Sequence, residues 1–439
     1  MEKKSDVTQY ILKSFASGRE FEDTGWILDP PGEQKPSLIR AMYKNKQLRV
    51  RSEADGLYKF ADWLPVERML KGSSAPVTYK STGLARHLGL TSLYITFSGY
   101  WPEKGAGMTS CSFKETEAFS VCARHMPEKD RILVVASAGN TARAFARVCS
   151  DNRIPLLLCM PLDTINAMWF DDPITECVKL IVTETGSDYF DAIHLSNLVS
   201  RSPRFIAEGG AKNVARRDGM ATTVLSAATF TGRIPDFYFQ AVGSGTGAIA
   251  AWEANLRLLE DGRFGKNKMK LILSQNFPFV PMHDAWKKGS REFLPLDDQI
   301  AREQVMEIDA KVLSNRKPPY GIAGGLYDAM KDTGGDFDAI TNEQAREAAA
   351  LFIELEGNDI HPAAAVAVAS LIQRVKQTGM DKDALIMLNI TGGGEEKFRG
   401  EKKLLFLKPS LILSIGAKEE EIREKTESLF GQINYRGTS

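Results

Sequence analysis

The chain has 439 residues, 56 Lys+Arg against 56 Asp+Glu and a formal net charge of +0, which leaves no basic field for nucleic acid or an anionic membrane and allows two or three domains with a large core. Its five cysteines, Cys111, Cys122, Cys149, Cys159 and Cys177, are odd in number and form no CxxC pair, which speaks against a disulfide framework and a zinc site. The polar start Met1-Glu2-Lys3-Lys4-Ser5-Asp6 has no apolar signal core and no apolar run approaches spanning length, so the expectation is a soluble, cytoplasmic protein.

Residues 1–75 read as an irregular N-terminal extension, with Asp29-Pro30-Pro31-Gly32 turn chemistry, a mixed segment over 38–50 and an aromatic cluster at Tyr58, Phe60 and Trp63. Strands are expected over 91–97, 131–137, 154–160, 178–182 and 204–207. Helices are expected from near Ser112 to about 125, over 141–149, 187–200 and 213–230. The alternation repeats with strands over 237–242, 270–274 and 384–389. A helix runs from the 243–247 loop to 260. A capping box, Thr341-x-x-Gln344, opens a helix ending at Gly357, and His361-Pro362 opens another. The tail over 419–430 is charged and helical. Strands alternating with helices predict an α/β protein of two lobes with mostly parallel sheets and a cleft between them. The expected division is 76–125 with 215–405 as a large domain, 126–214 as a smaller mobile domain, and 406–439 as a tail.

The candidate site residues gather on four stretches. Lys114 lies in Thr109-Ser110-Cys111-Ser112-Phe113-Lys114, among small residues that leave room for a planar ligand, at a predicted helix start whose positive end lowers an amine pKa. Ser137-Ala138-Gly139-Asn140-Thr141 follows a predicted strand and presents N–H groups at a helix start, which suits a carboxylate or phenolate-like oxygen. Gly243-Ser244-Gly245-Thr246-Gly247, also after a strand, suits a phosphate. Its G-x-G-x-x-A pattern invites a dinucleotide reading, as in a nucleotide-dependent oxidoreductase. That reading wants an acid after the next strand, where Gln275 and Asn276 stand, so a compact phosphate cradle fits better. Thr391-Gly392-Gly393-Gly394 offers a hydroxyl for a ring nitrogen close to backbone. Together they supply one partner each for the aldehyde, 3′-oxygen, phosphate and pyridine nitrogen of pyridoxal phosphate.

Ser112-Phe113-Lys114, Ala136-Ser137-Ala138-Gly139-Asn140-Thr141, the 243–247 loop and Thr391-Gly392 fall in the order seen in threonine synthases, and the chain resembles that family from about Val77 to Gly394. The resemblance implies a two-lobed fold type II (tryptophan synthase β-like) pyridoxal-phosphate fold. More closely, residues 98–106 and 208–220 resemble the cysteate synthase family, paralogues of threonine synthases in the coenzyme M synthesis of methanogenic archaea. One departure stands out: threonine synthases continue Ser-Phe-Lys with Asp-Arg, and here Glu115-Thr116 follows. The resemblance implies that Lys114 forms the imine with the cofactor, that Asn140 bonds its 3′-oxygen, that Gly243, Ser244, Gly245, Thr246 and Gly247 hold its phosphate, and that Thr391 meets its ring nitrogen.

It further implies β-replacement on O-phospho-L-serine by sulfite, with Lys114 as the α-proton base and Ser137 and Thr141 in the turn that holds the substrate carboxylate. Lys104, Arg216 and Arg217 are candidate cations for the anionic substrates. Threonine synthase activity on O-phosphohomoserine, another β-eliminating lyase and a catalytically dead binding protein are the alternatives. Relatives form homo-oligomers, and two or three subunits are both compatible.

Overall fold

The computed structural model describes residues 8–124, 131–316 and 318–431. The polar start at 1–6, the expected helix end near 125 and residues 432–439 lie outside them.

Two sheets carry the fold. The larger has six strands in the order Asp336–Ile340, Lys270–Asn276, Phe237–Ala241, Ile386–Ile390, Leu93–Phe97 and Val77–Lys80. All neighbours are parallel except Val77–Lys80, which runs antiparallel to Leu93–Phe97. Helices cover both faces, so successive strand residues enter opposite cores. Tyr238 joins Met220, Val224 and Ile249, whereas Phe239 joins Phe352, Val366 and Val368.

The second sheet has five parallel strands, in the order Phe205–Ala207, Ile132–Ala136, Leu156–Pro161, Val178–Thr183 and Leu411–Leu413. Leu133, Leu158 and Leu180 pack with Phe145 and Val148, and Val134, Leu157 and Ile181 pack with Leu195, Val199 and Ile422 on the other face. The α/β alternation and the parallel strands expected from the sequence are present.

Three stretches differ from the sequence reading. The front end is not irregular: Tyr10–Ser14, Glu20–Phe21 and Ile39–Tyr43 form an antiparallel sheet. Leu12, Ile39, Ala41 and Tyr43 bury themselves in the core shared with the helix Val214–Thr231, a tertiary contact that five-residue strands need to be stable. The helix expected over 419–430 is present as Glu419–Ser428, but ahead of it the strand Leu411–Leu413, unread in the sequence, extends the second sheet, over which the helix packs through Ile422. The strand Asp336–Ile340 is hidden in the sequence by two acids. Arg374 neutralises both, with Nε 2.9 Å from Asp338 and Nη2 2.7 Å from Asp336. Helices Pro281–Lys287, Asp298–Glu307 and Leu326–Thr333 also lie in this unread region.

The helix Lys114–Ala123 joins the two halves. Phe113 packs in the core of the larger sheet, and Ala118, Phe119 and Cys122 pack in that of the second. Gly219 on Val214–Thr231 permits a close helix contact, because a Cβ there would collide with the Thr116 carbonyl.

Candidate active site

Both sheets send the C-terminal ends of their strands to one cavity of about 620 Å³. Val134, Ala136 and Ala207 line it from the second sheet, and Gln240, Ala241 and Thr391 from the larger one.

Lys114 reaches the cavity because its loop is zipped to the 391–394 loop. Phe113 N donates to Thr391 O at 2.9 Å, Gly393 N donates to Cys111 O at 3.0 Å, and Ser112 bridges Gly392. The lysine is thereby fixed as the first residue of its helix, beside Thr391. Burial lowers its pKa, assisted by Arg216 and opposed by Glu117, whose Oε2 lies 3.3 Å from Nζ. Burial is thus the main cause of the shift, where the sequence suggested the helix dipole. Glu115, which replaces the family's aspartate, turns away to accept from Ser110 N at 2.9 Å, and burial pushes its carboxyl up to about 7.

A chain of charges runs on from Lys114. Glu117 accepts from Arg216 Nη2 at 2.7 Å and from Nε at 3.1 Å, and Arg216 Nη1 donates to Glu208 at 2.6 Å. Lys114, Glu117, Arg216 and Glu208 thus form one connected row along the wall. Tyr189, on the helix Tyr189–Val199, faces this group, and its hydroxyl pKa is raised by burial.

The 243–247 loop enters the helix Thr246–Asp261. A Cβ on Gly243 would lie 2.8 Å from Leu313 Cα and from Val312 O, and one on Gly247 would lie 2.7 Å from Gln240 Nε2. Gly245 has φ +75°, a conformation that favours glycine. The glycines thus let the loop backbone pack closely at a helix N-terminus, where Thr246 N donates to Ser244 Oγ at 3.4 Å. Ser244 Oγ and Thr246 Oγ1 lie 2.8 Å apart in the same loop.

Asn140 opens the helix Asn140–Asp151. Its Oδ1 accepts from Arg143 Nη2 at 3.1 Å, and its Nδ2 lies 3.4 Å from His361 Nδ1. The other ring nitrogen of His361 stands 3.1 Å from Glu395 Oε2, which orients the imidazole. Ser137 Oγ accepts from Gly139 N and Ala142 N, both at 3.0 Å, so it shapes the turn, and Thr141 lines the cavity.

The cavity lining gathers Lys114, Ser137, Asn140, Thr141, Arg216, Thr391 and the five residues of the 243–247 loop. Two sequence candidates lie elsewhere. Lys104 is exposed on its loop, with Nζ 4.5 Å from the centre of the Tyr79 ring. Arg217 is buried against Glu253 at 3.1 Å and the carbonyls of Ala211 and Ile39. Adjacent residues on a helix point about 100° apart, so Arg216 and Arg217 cannot share one face. Glu117, Tyr189, Glu208, Gln240 and His361 also line or hold the site without having been assigned to it. Only Glu117 carried a local signal, its i,i+3 spacing from Lys114. Gln275, within the neighbouring strand Lys270–Asn276, accepts from Met282 N and His283 N.

A half-buried lysine of lowered pKa, a glycine-rich cradle at a helix N-terminus and Thr391 in the same cavity fit pyridoxal phosphate. Residues 102–392 match the family model described as "Pyridoxal-phosphate dependent enzyme". The chain is 46% identical over 407 residues to a protein named cysteate synthase from Methanosarcina acetivorans, covering 92% of this chain and 97% of the relative. It is 49% identical to one of the same name from Methanocella paludicola, covering 85% and 88%. Among solved structures, maize serine racemase matches with a TM-score of 0.55 at 13% identity, over 74% of this chain and 91% of that one, which is a likeness of fold. Threonine deaminase isoform 2 from Solanum lycopersicum matches with a TM-score of 0.51 at 16% identity, over 74% and 86%. The chain therefore belongs to the pyridoxal-phosphate dependent enzymes and, among them, to the cysteate synthase family.

Proposed function

We propose that the protein converts O-phospho-L-serine and sulfite to L-cysteate and phosphate. The observation that carries this reading is the near full-length similarity to proteins named cysteate synthase. Pyridoxal phosphate supplies, when bound, an aldehyde that condenses with amines and a ring that stabilises negative charge on the adjacent α-carbon. Lys114 would anchor that aldehyde, Asn140 would hold the 3′-oxygen, the 243–247 backbone with Ser244 and Thr246 would hold the phosphate, and Thr391 would meet the ring nitrogen. A neutral hydroxyl there, unlike a carboxylate, would not hold a proton on the ring and would favour elimination over transamination.

Lys114 Nζ takes the α-proton of the substrate and later returns it. Its lowered pKa suits both roles, because only the neutral amine is a base. The turn over 137–141 offers the substrate carboxylate a helix N-terminus. The two substrates are small anions. The same reading holds the protein to be a cytoplasmic homo-oligomer of two or three copies.

The experiment incubates the holoenzyme with O-phospho-L-serine and sulfite, measuring phosphate release and cysteate by mass spectrometry. Cysteate formed in step with phosphate is the expected result. Turnover of O-phosphohomoserine alone would replace this reading with threonine synthase.

A further inference from the structure

Glu208 follows the strand Phe205–Ala207 and lines the cavity with only 5% of its surface exposed. Its Oε2 accepts from Arg216 Nη1 at 2.6 Å and from Gly210 N at 2.9 Å. Its Oε1 is buried and has no hydrogen-bond partner among the described residues. Arg216 and Lys114 favour the ionised form of this carboxyl, and Glu117 and Tyr189 are the other ionisable groups around it. Burial outweighs Arg216, and the pKa is raised. A protonated carboxyl here holds a donor for which the protein supplies no acceptor, and a bound oxyanion supplies one.

The chemistry of the proposed reaction has a matching need. A phosphate group that departs without a proton leaves as the trianion, a poor leaving group. Hydrogen sulfite protonated on sulfur must lose that proton before the sulfur lone pair can attack.

Resting on the substrate reading above, we propose that Glu208 is a catalytic proton carrier that moves one proton from incoming hydrogen sulfite to departing phosphate. In the first half, the bond from the β-carbon to the phosphate ester oxygen breaks, its electron pair stays on that oxygen, and the oxygen takes the Glu208 proton and leaves as hydrogen phosphate. In the second half, hydrogen sulfite returns a proton to the Glu208 carboxylate, and the freed sulfur lone pair forms the bond to the β-carbon. Lys114 handles the α-proton separately. No oxidant or reductant is required, and Glu208 ends as it began.

The test compares Glu208→Gln with wild type on two substrates. O-phospho-L-serine needs a proton on its leaving group, whereas β-chloro-L-alanine loses chloride without one. The expected result is a loss of phosphate release of about 100-fold or more, in the range of general acid catalysis, with chloride release within about twofold of wild type. Equal losses on both substrates would mark a structural role and overturn the proposal, as would undiminished phosphate release. Independently of turnover, the infrared difference between wild type and Glu208→Gln at neutral pH should contain a protonated carboxyl band, and its absence also overturns the proposal. If Glu208→Gln does not fold, Glu208→Asp is compared on the same two substrates, with the larger loss again expected on O-phospho-L-serine. Wild type that releases no phosphate from O-phospho-L-serine refutes the substrate reading itself, and the carrier with it. Wild type that makes cysteate beside an unimpaired variant refutes the carrier alone.

Discussion

Glu117 holds Lys114 from one turn along the same helix, with Oε2 3.3 Å from Nζ, and the same fully buried carboxylate accepts from Arg216 at 2.7 Å. The lysine is therefore poised between burial, which lowers its pKa, and Glu117, which raises it. Glu117→Gln removes the raising charge, so the Lys114 pKa falls further. The acid limb of α-proton exchange should move to lower pH, read from a pH profile of exchange into deuterium oxide. Leaving Arg216 short of one charged partner should also cost about 1–3 kcal/mol of stability in denaturant titration.

Lys114→Ala removes both the amine that anchors the cofactor and the α-proton base. Exchange of the substrate α-proton should fall by about 10²–10⁴-fold or more, measured by NMR, while the fold survives, because the side chain is partly exposed to the cavity. Unchanged exchange would remove Lys114 from the base role.

Gly243→Ala places a methyl group 2.8 Å from the backbone of residues 312 and 313, which cannot move aside as a flexible side chain would. Overpacking of this kind costs about 1–3 kcal/mol. Taken from cofactor binding, that is on the order of a tenfold or greater loss of affinity. Titration of the apoprotein with pyridoxal phosphate, followed by visible absorbance, checks it.

Glu395 lies 3.1 Å from His361 Nε2, 2.8 Å from Arg399 and 3.6 Å from Arg143. Burial pushes its carboxyl up, but His361, Arg143 and Arg399 prevail and hold it down to about 2. Because the folded pKa lies below the unfolded value, the stabilisation is present above about 4.5 and is lost as pH falls through about 2. A shift of that size corresponds to no more than about 3–4 kcal/mol. The stability gap between wild type and Glu395→Gln should shrink across this window in acid-unfolding measurements.

Asp188 caps the cavity-lining helix Tyr189–Val199 and pairs with Arg316, next to the cavity-lining residues 311–315, at 2.9 Å and with Arg302 at 3.1 Å. Asp188→Asn keeps the helix cap but loses the charge. A partly exposed pair is worth about 1 kcal/mol, so KM should rise by up to about fivefold with kcat little changed. Steady-state kinetics at two salt concentrations tests this, since added salt should weaken wild type toward the variant.

The helix joining the two halves, most of the parallel strands and the loops at their ends were legible in the sequence because each has a local cause. Runs such as Ile132–Ala136 and Leu156–Pro161 are apolar throughout, as befits strands covered on both faces. The Thr341 capping box and its Gly357 stop act within one helix. The 243–247 loop is readable because glycines after a strand have few structural alternatives.

Tertiary structure alone decided which charges meet. Arg216 and Arg217 are adjacent in sequence, yet one lines the cavity and the other is spent on Glu253 in the core, since helix rotation separates them and distant segments supply their partners. Glu208 is placed the same way: it meets Arg216 and loses water only when the end of the second sheet is brought against the helix Val214–Thr231. Local pattern determines where backbone turns, because that energy is set by neighbours in the chain. The ionisation of a side chain is set by burial and by charges far away in sequence, and those exist only once the two sheets have closed on one cavity.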